Sequence, residues 1–232
     1  MRREKIAHVR ILTWNLFHGR ALPNAGRDLQ AEFTAALQGW AWDVALLQEC
    51  PPWWPAPMAR ACGAEPRVAL TSRNALLPLR RLVARRFPDL IKSNGGGCNA
   101  ILVRDGTPIV AHHEVVLRRR PERRVAHAVH LADGRWIANL HAQVHSEAHA
   151  QADLATAARA LDGWAGAQAP VILGGDTNTR HPRAGDLVPL GGHDVDFVLA
   201  RGWRRVSEVT VHAHAPLSDH APVSLGLEAT GP

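Results

Sequence analysis

Acid, amide and imidazole side chains recur at the ends of apolar segments along this sequence of 232 residues. The positions concerned are Asn15, Glu49, His141, Asp176, Asn178, Asp196, Asp219 and His220. Carboxylate and amide oxygens are the ligands that a hard divalent cation such as Mg²⁺ prefers. An imidazole beside a carboxylate can hold or move a proton near neutral pH. These residue types therefore indicate a site that binds a cation and activates water.

Residue type and spacing suggest a role for each oxygen donor. Glu49 is the best single metal ligand, and Asn15 and Asp219 are supporting oxygen donors. Asp176 and Asn178 stand two positions apart, and in an extended loop that spacing turns both side chains the same way. One of the two would then orient or deprotonate a water while the other hydrogen-bonds a phosphate.

The histidines supply the candidate proton donors. His220 is predicted to contact a scissile phosphate, and a neighbouring carboxylate would fix its tautomer and stabilise its cationic form. Asp196 and Asp194 compete for this partner role. His141 is a second candidate to protonate the leaving oxygen or to stabilise the charge of the phosphate.

The apolar pattern predicts the elements that position these groups. Strands are expected over 8–16, 43–48, 99–103, 107–117, 125–131, 136–140, 171–173, 197–199, 203–209 and 223–227. Helices are expected over 27–40 and 146–164, the second with Ser146 as its N-cap, and four prolines predict an irregular segment over 51–57. Residues 73–93 read as a basic helix or a loop. Two mixed β-sheets with outer helices could stack into a four-layer α/β sandwich, forming a single domain over 1–232.

Composition favours a globular protein with an anionic partner. The sequence is 46% hydrophobic, carries a formal charge of +6 and has a pI near 10.4, which suits binding to polyanions. Three cysteines without CxxC spacing argue against a disulfide framework or a cysteine zinc site. No secretory signal is visible over 1–10, and no apolar run reaches the length of a membrane span. A cytoplasmic monomer without stable membrane insertion is expected.

Seven segments, in order, resemble the endonuclease/exonuclease/phosphatase (DNase I-like) superfamily. They are LTWNL, ALLQE, GCNAILV, ANLHAQ, GGDTNT, VDFVL and SDHAPV, spread over almost the whole chain. The resemblance implies a four-layer sandwich and a Mg²⁺- or Mn²⁺-dependent hydrolase. It also implies that Asn15 and Glu49 form the first metal-site pair and that Asp196, rather than Asp194, partners His220. Abasic-site endonucleases of this superfamily carry a tyrosine where this chain has His141, and the sequence contains no tyrosine.

Simpler interpretations exist for each motif. Asn15, Glu49, Asp176 and Asn178 could each be turn or surface residues when considered alone. The segment HSEAH at 145–149 has Ser146 where an HExxH zinc helix needs a glutamate, so this zinc motif is absent. The glycines at 95–97 are not followed by GK[ST], so they do not form a P-loop. Ser218 is adjacent to the Asp219–His220 pair, which is poor geometry for a serine triad. Asn99 is expected to be structural. The motifs occur in a fixed order along the chain, and together they argue against the interpretation of the site residues as turn or surface residues.

The substrate is the open question. The basic balance favours a nuclease-like phosphodiesterase acting on DNA or RNA, with the arginines at 80–86 and 118–124 either clamping phosphates or lying in solvated segments. The alternative is a phosphoesterase for a lipid or small-molecule phosphate, since one catalytic centre serves both classes. A silent binding module is a third hypothesis, which the complete set of predicted ligands disfavours.

Overall fold

The computed structural model describes residues 8–104 and 106–231. Residues 1–7 belong to the segment in which no secretory signal is predicted, and they lie outside the described residues. The strands are β1 (His8–Asn15), β2 (Val44–Cys50), β3 (Glu65–Leu70), β4 (Cys98–Val103), β5 (Ile109–Arg118), β6 (Arg124–Leu131), β7 (Trp136–His141), β8 (Val171–Asp176), β9 (Val188–His193), β10 (Asp196–Arg201), β11 (Trp203–Arg205), β12 (Thr210–Val211) and β13 (Val223–Ala229). The α-helices are α1 (Gln30–Gly39), α2 (Pro55–Cys62), α3 (Leu77–Arg86), α4 (Pro88–Ile91) and α5 (Glu147–Ala165).

Two mixed sheets form the centre of the fold, as the sequence predicts. The first has the order β11-β13-β1-β2-β4-β3, with β12 paired to β13, and the second has the order β5-β6-β7-β8-β10-β9. Each sheet contains one parallel pair, β1–β2 or β7–β8, and the other pairings are antiparallel. Helix α1 joins the first parallel pair and α5 joins the second, because parallel strands need a crossover connection.

Side chains alternate between the two faces of each sheet, and this alternation produces the layers. Ile11 and Leu46 of the first sheet lie in a core cluster with Ile137 and Ile172 of the second, so one face of each sheet fills the centre. The outer face of the first sheet packs on α1 and α2, and that of the second sheet packs on α5. The predicted four-layer α/β sandwich is therefore confirmed.

Buried amides connect the two sheets close to the edge where the parallel strands end. The side-chain amide nitrogen of Gln48 donates to the side-chain oxygen of Asn139 at 2.8 Å. The amide nitrogen of Asn139 in turn donates to the carbonyl oxygens of Leu47 and Ala100. Because buried polar groups require such partners, this network fixes how β2 and β7 face each other.

A close backbone approach at Gly175 fixes the end of β8. Its φ is 137°, and a Cβ atom at this position would lie 2.0 Å from the carbonyl oxygen of Leu140. Only glycine permits both the backbone conformation and this contact. The residue therefore sets the position of Asp176, which follows it at the end of the strand.

The structure corrects the prediction of an irregular proline segment. Residues 55–62 form helix α2, with Pro55 in its first turn and Gly63 at its C-cap with a φ of 65°. Proline is tolerated in a first turn because the amide groups there have no partner within the helix. Three of the four prolines, Pro51, Pro52 and Pro55, thus precede or begin a helix.

Two edge strands were missed, and one predicted strand is shorter than expected. β3 and β9 lie at the ends of the two sheets, and both contain a proline, Pro66 or Pro189, as edge strands can. The strand expected over 203–209 is confined to Trp203–Arg205. For residues 73–93 the sequence predicted either a basic helix or a loop, and the structure has a basic helix over 77–86. Ser146 caps α5 as predicted, because its hydroxyl accepts from the backbone N–H of His149.

Among the described residues, no helix is long and apolar enough to cross a membrane.

Candidate active site

The carboxyl ends of both parallel strand pairs meet at one edge of the sandwich. Asn15, His141 and Asp176 are the last residues of β1, β7 and β8, and Glu49 is the penultimate residue of β2. Asp196 begins β10 directly opposite Asp176 in the strand register. Parallel strands present their carboxyl ends on the same side, so five side chains from different strands converge here.

Asp176 lies at the centre of this cluster and is buried. Its carboxylate accepts a hydrogen bond from the Asn15 side-chain amide at 2.9 Å and one from the Asn178 backbone N–H at 3.0 Å. Nε2 of His141 lies 3.3 Å from the same carboxylate. Burial, followed by the charge of Asp196, raises the pKa of Asp176 to about 7. Asp176 can therefore accept a proton near neutral pH.

His220 and Asp196 form the predicted pair. Nδ1 of His220 lies 2.8 Å from Oδ2 of Asp196, and Nε2 of His220 lies 3.9 Å from Asp176. Burial disfavours the imidazolium, yet the hydrogen bond and charge of Asp196 raise the pKa of His220 to about 10. Asp194 is exposed and bonds to Arg180, so the competing partner lies outside the cluster.

Glu49 projects from a bulge in β2. Its φ is 48°, and the register between β2 and β4 shifts at this point, which turns the side chain out of the regular strand alternation. The carboxylate lies 3.2 Å from Nε2 of His18 and 3.9 Å from Nδ1 of His141. Burial would raise the pKa of Glu49, but the His18 hydrogen bond and nearby cations lower it well below its usual value. Glu49 is therefore anionic at neutral pH.

The loop that carries Asp219 is attached to the end of β1. The Ser218 hydroxyl donates to the backbone oxygen of Asn15 at 2.6 Å. Asp219 itself is exposed, and its negative charge acts on Arg20 and His220. The attachment brings Asp219 to the same edge as the predicted donors.

Asn178 does not lie in an extended loop as predicted. Its φ is 48°, in the left-handed region, and its side-chain amide donates to the carbonyl oxygen of Ala142 at 2.9 Å. Its backbone N–H binds Asp176. Asn178 is thus brought beside Asp176, but the reasoning from an extended backbone was wrong.

Sequence reasoning missed His18 and Arg20, and it did not separate Arg124 from its neighbours. Arg124 is buried, and its Nη1 atom lies 2.7 Å from Nδ1 and 2.9 Å from Nε2 of His141. Burial, then the charge of Arg124, lowers the pKa of His141 well below its usual value. His18 and Gly19 lie three and four residues beyond the end of β1, with φ values of 54° and 76°. The polar HGR sequence shortly after a predicted strand was the available signal.

Two donor sets at this edge could hold a cation. Ligand atoms of Asp176, Asp196 and His220 lie within 4.8 Å of one another. However, Nδ1 of His220 is engaged by Asp196, which raises the pKa of the ring, so a cation bound there would have to displace a proton. The ligands predicted from the sequence, Glu49, Asn15 and Asp219, lie at the same edge and offer oxygen atoms alone, of which the Asn15 side-chain oxygen also accepts from the Phe17 backbone N–H. An anionic Glu49 that faces a polar cleft fits a hard cation better.

The sequence model of the Endonuclease/Exonuclease/phosphatase family matches residues 12–220, which include every residue of this cluster. The chain belongs to the endonuclease/exonuclease/phosphatase family. Members of this superfamily are hydrolytic phosphoesterases and generally depend on a divalent metal. No curated protein matches the sequence.

Several solved structures share the fold of this chain. An endonuclease/exonuclease/phosphatase from Beutenbergia cavernae is 20% identical with a TM-score of 0.71, covering 97% of this chain and 72% of that one. A mannosyl-6-phosphatase from Bacteroides thetaiotaomicron is 14% identical with a TM-score of 0.63, covering 94% and 99%. Truncated TDP2 from Caenorhabditis elegans is 16% identical with a TM-score of 0.66, covering 96% and 98%. At these identities the similarity concerns the fold.

Proposed function

We propose that this family member is a divalent-metal-dependent phosphodiesterase in which Asp176 and the Asp196–His220 pair activate water and protonate the leaving group. The observation that carries the proposal is the chain of contacts from Asp196 through His220 to Asp176, with Glu49 at the same sheet edge. It combines a proton acceptor, a proton donor and an oxygen donor for a cation. This combination suits in-line hydrolysis of a phosphate ester.

Asp176 and His220 have complementary tasks in this mechanism. With a pKa of about 7, Asp176 takes a proton from water as the water oxygen bonds to phosphorus. The bond between phosphorus and the leaving oxygen breaks, and His220, protonated through Asp196, supplies a proton to that oxygen. Asn15 and Asn178 hold the Asp176 carboxylate in place through their hydrogen bonds.

Of the two roles predicted for His141, we propose the stabilisation of charge on the phosphate. Its lowered pKa leaves the ring neutral, so it is a poor donor to a leaving oxygen. The positive charge beside it belongs to the Arg124 guanidinium. We assign to these two residues the stabilisation of charge on the phosphate oxygens.

The oxygen donors Glu49, Asn15 and Asp219 would hold the cation, which we propose to be Mg²⁺ or Mn²⁺. When bound, the cation neutralises charge on the phosphate. Among these donors, Glu49 contributes the buried negative charge. We expect Glu49→Gln to lower kcat/KM at least 100-fold at fixed Mg²⁺, measured together with Mn²⁺ affinity by calorimetry. Unchanged affinity for Mn²⁺ would place the cation elsewhere.

For the substrate, our first candidate is nucleic acid. The clusters at 80–86 and 118–124 contribute nine arginines, five of which are exposed. Arg73, Arg123 and Arg124 line the cleft together with Glu49 and His141. Such a surface favours a polyanion and predicts salt-sensitive binding. A phosphodiester with a lipid portion is the second candidate, because Leu79 and Leu82 are exposed beside the arginines of 80–86.

One assay compares the candidates. Plasmid DNA, single-stranded DNA, bis(p-nitrophenyl) phosphate and a phosphodiester lipid in detergent are each incubated with Mg²⁺ or Mn²⁺, with and without EDTA. Nicking of DNA that EDTA abolishes and that His220→Ala lacks would support the nuclease. Hydrolysis of the lipid alone would support the second candidate, whereas metal-independent turnover would contradict the mechanism. The cytoplasmic location and the monomeric state stay predictions.

A further inference from the structure

The segment 76–92 carries exposed side chains that take no part in the proposed proton transfers. Of seven exposed leucine and phenylalanine side chains among the described residues, five lie in this segment. They are Leu76, Leu79, Leu82, Phe87 and Leu90. Helix α3, which spans most of the segment, has no fully buried residue. We call these exposed side chains, with the arginines among them, the leucine–arginine surface.

Helix α3 carries apolar side chains on both of its faces. Leu77, Arg80, Val83 and Ala84 face inward and are partly buried. Leu82 lies on the opposite face and is 67% exposed. An outward leucine gains nothing from the fold itself, so the helix exposes apolar area that another surface can bury.

Positive charge surrounds these leucines. The segment 76–92 contains five basic residues and one acidic residue, Asp89. The Asp89 carboxylate already accepts a hydrogen bond from the Gly26 backbone N–H. Arg81 and Arg85 line a groove of about 490 Å³ beside Leu82. The surface therefore offers cationic groups and leucines side by side.

This combination fits an anionic lipid bilayer better than the other partners. A nucleic acid would engage the arginines but would leave the leucines without an apolar environment. A second copy of the chain across a two-fold axis would place the same cationic face against itself. In a bilayer interface, by contrast, leucines enter the acyl boundary while arginines contact the lipid phosphates.

We propose that the leucine–arginine surface docks this protein on anionic lipid membranes. The surface adjoins the cleft, because Ser93 lines the same cleft as Glu49 and His141, and Lys92 lines a pocket with His18. Docking would therefore turn the open edge of the sandwich towards the lipid headgroups. The inference concerns binding and does not rest on which ester the site hydrolyses.

The test is sedimentation of the full chain with vesicles of phosphatidylglycerol and phosphatidylcholine in equal parts, with EDTA present to prevent turnover. Binding is expected at low salt and is expected to be weak on pure phosphatidylcholine. The double variant Leu79→Ser/Leu82→Ser should bind at least tenfold more weakly. Arg81→Gln/Arg85→Gln should lose roughly tenfold to 30-fold, because each basic residue at an anionic surface adds about a factor of five.

Two control variants change an exposed apolar residue and an exposed arginine elsewhere. Val188→Ser changes an exposed apolar residue on edge strand β9, and Arg159→Gln changes an exposed arginine on α5. Both controls should bind vesicles as the parent does. Thermal unfolding should be unchanged in all variants, because the altered side chains are exposed. Hydrolysis of bis(p-nitrophenyl) phosphate by the leucine variant reports the proposed site separately from docking.

Three outcomes would overturn the proposal. The first is the absence of vesicle binding by the parent protein at low salt. The second is binding that the leucine variant retains in full, which would reduce the interaction to nonspecific charge. The third is a dimer in sedimentation velocity that the leucine variant disperses, which would make a second copy of the chain the partner of this surface. Vesicle binding without any phosphodiester hydrolysis would contradict the proposed function and leave docking intact.

Discussion

Replacing Asp196 by asparagine tests the proposed proton donor. In the parent protein, the pKa of His220 is raised to about 10 because the hydrogen bond and charge of Asp196 outweigh the opposing effect of burial. The asparagine keeps the shape but removes the charge. Burial then acts with less opposition, although the charges of Asp176 and Asp219 remain, and we expect the pKa of His220 to fall towards its ordinary value of about 6.5.

The size of the effect follows from protonation. At pH 8, a histidine with a pKa of about 6.5 is roughly 3% protonated, so loss of the donor alone lowers the rate about 30-fold. Misorientation of the ring adds to this loss, and comparable removal of an orienting carboxylate lowers kcat by up to about 10⁴-fold. We therefore expect Asp196→Asn to reduce kcat/KM by about 10² to 10⁴ at pH 8.

The assay is the pH dependence of bis(p-nitrophenyl) phosphate hydrolysis between pH 5.5 and 9.5 at saturating Mn²⁺. The parent should show no basic limb from His220 up to pH 9.5, because its pKa is about 10, whereas the variant should lose activity above about pH 7. Asp194→Asn is the matched control, because Asp194 lies two residues away, is exposed and bonds to Arg180. If Asp196→Asn lost no more activity than this control, or kept the parent profile to pH 9, the assignment of His220 would be refuted.

Two further predictions concern stability. Gly175→Ala should lower the free energy of unfolding by about 2–4 kcal/mol in urea titrations, since its Cβ would lie 2.0 Å from the Leu140 oxygen. Gly163→Ala is the control and should not destabilise the protein, because nothing lies within 4 Å of a Cβ at that position. Equal effects of the two substitutions would contradict the packing argument. Burial would raise the pKa of Asp43, but its hydrogen bonds with Arg10 lower it below the usual value. Asp43→Asn should therefore lower the free energy of unfolding by about 1 kcal/mol above pH 4. The difference in stability between parent and variant should vanish as the pH falls through the lowered pKa of Asp43. A difference that persists at pH 2 would refute this assignment.

The sequence determined the sandwich and much of its edge. Strands such as 43–48 and 171–173 are short apolar runs, and burial on both faces makes such runs recognisable without any tertiary information. Ser146 signals its helix through a local hydrogen bond, so it too could be predicted. The predicted Asp196–His220 contact is present in the structure, although only the family resemblance favoured Asp196 over Asp194.

Local patterns misjudged the proline-rich segment and the two edge strands. Pro55 begins α2 because a first turn does not need its missing amide, and this depends on position rather than composition. β3 and β9 have only one neighbouring strand, so their sequences need not be uniformly apolar. Whether such residues pair depends on a partner strand distant in sequence.

The electrostatics of the site depended on the tertiary structure alone. Arg124 looked like one of several arginines in a hairpin, yet the fold buries it against His141, and burial with that charge keeps the imidazole neutral. His18 became a partner of Glu49 only when left-handed backbone after β1 turned it towards the bulge in β2. The sequence by itself determined which chemical groups stand at the strand ends, because side-chain alternation and burial are local patterns. Their distances and pKa values arise from contacts between residues far apart in the chain, and only the packed sandwich decided those.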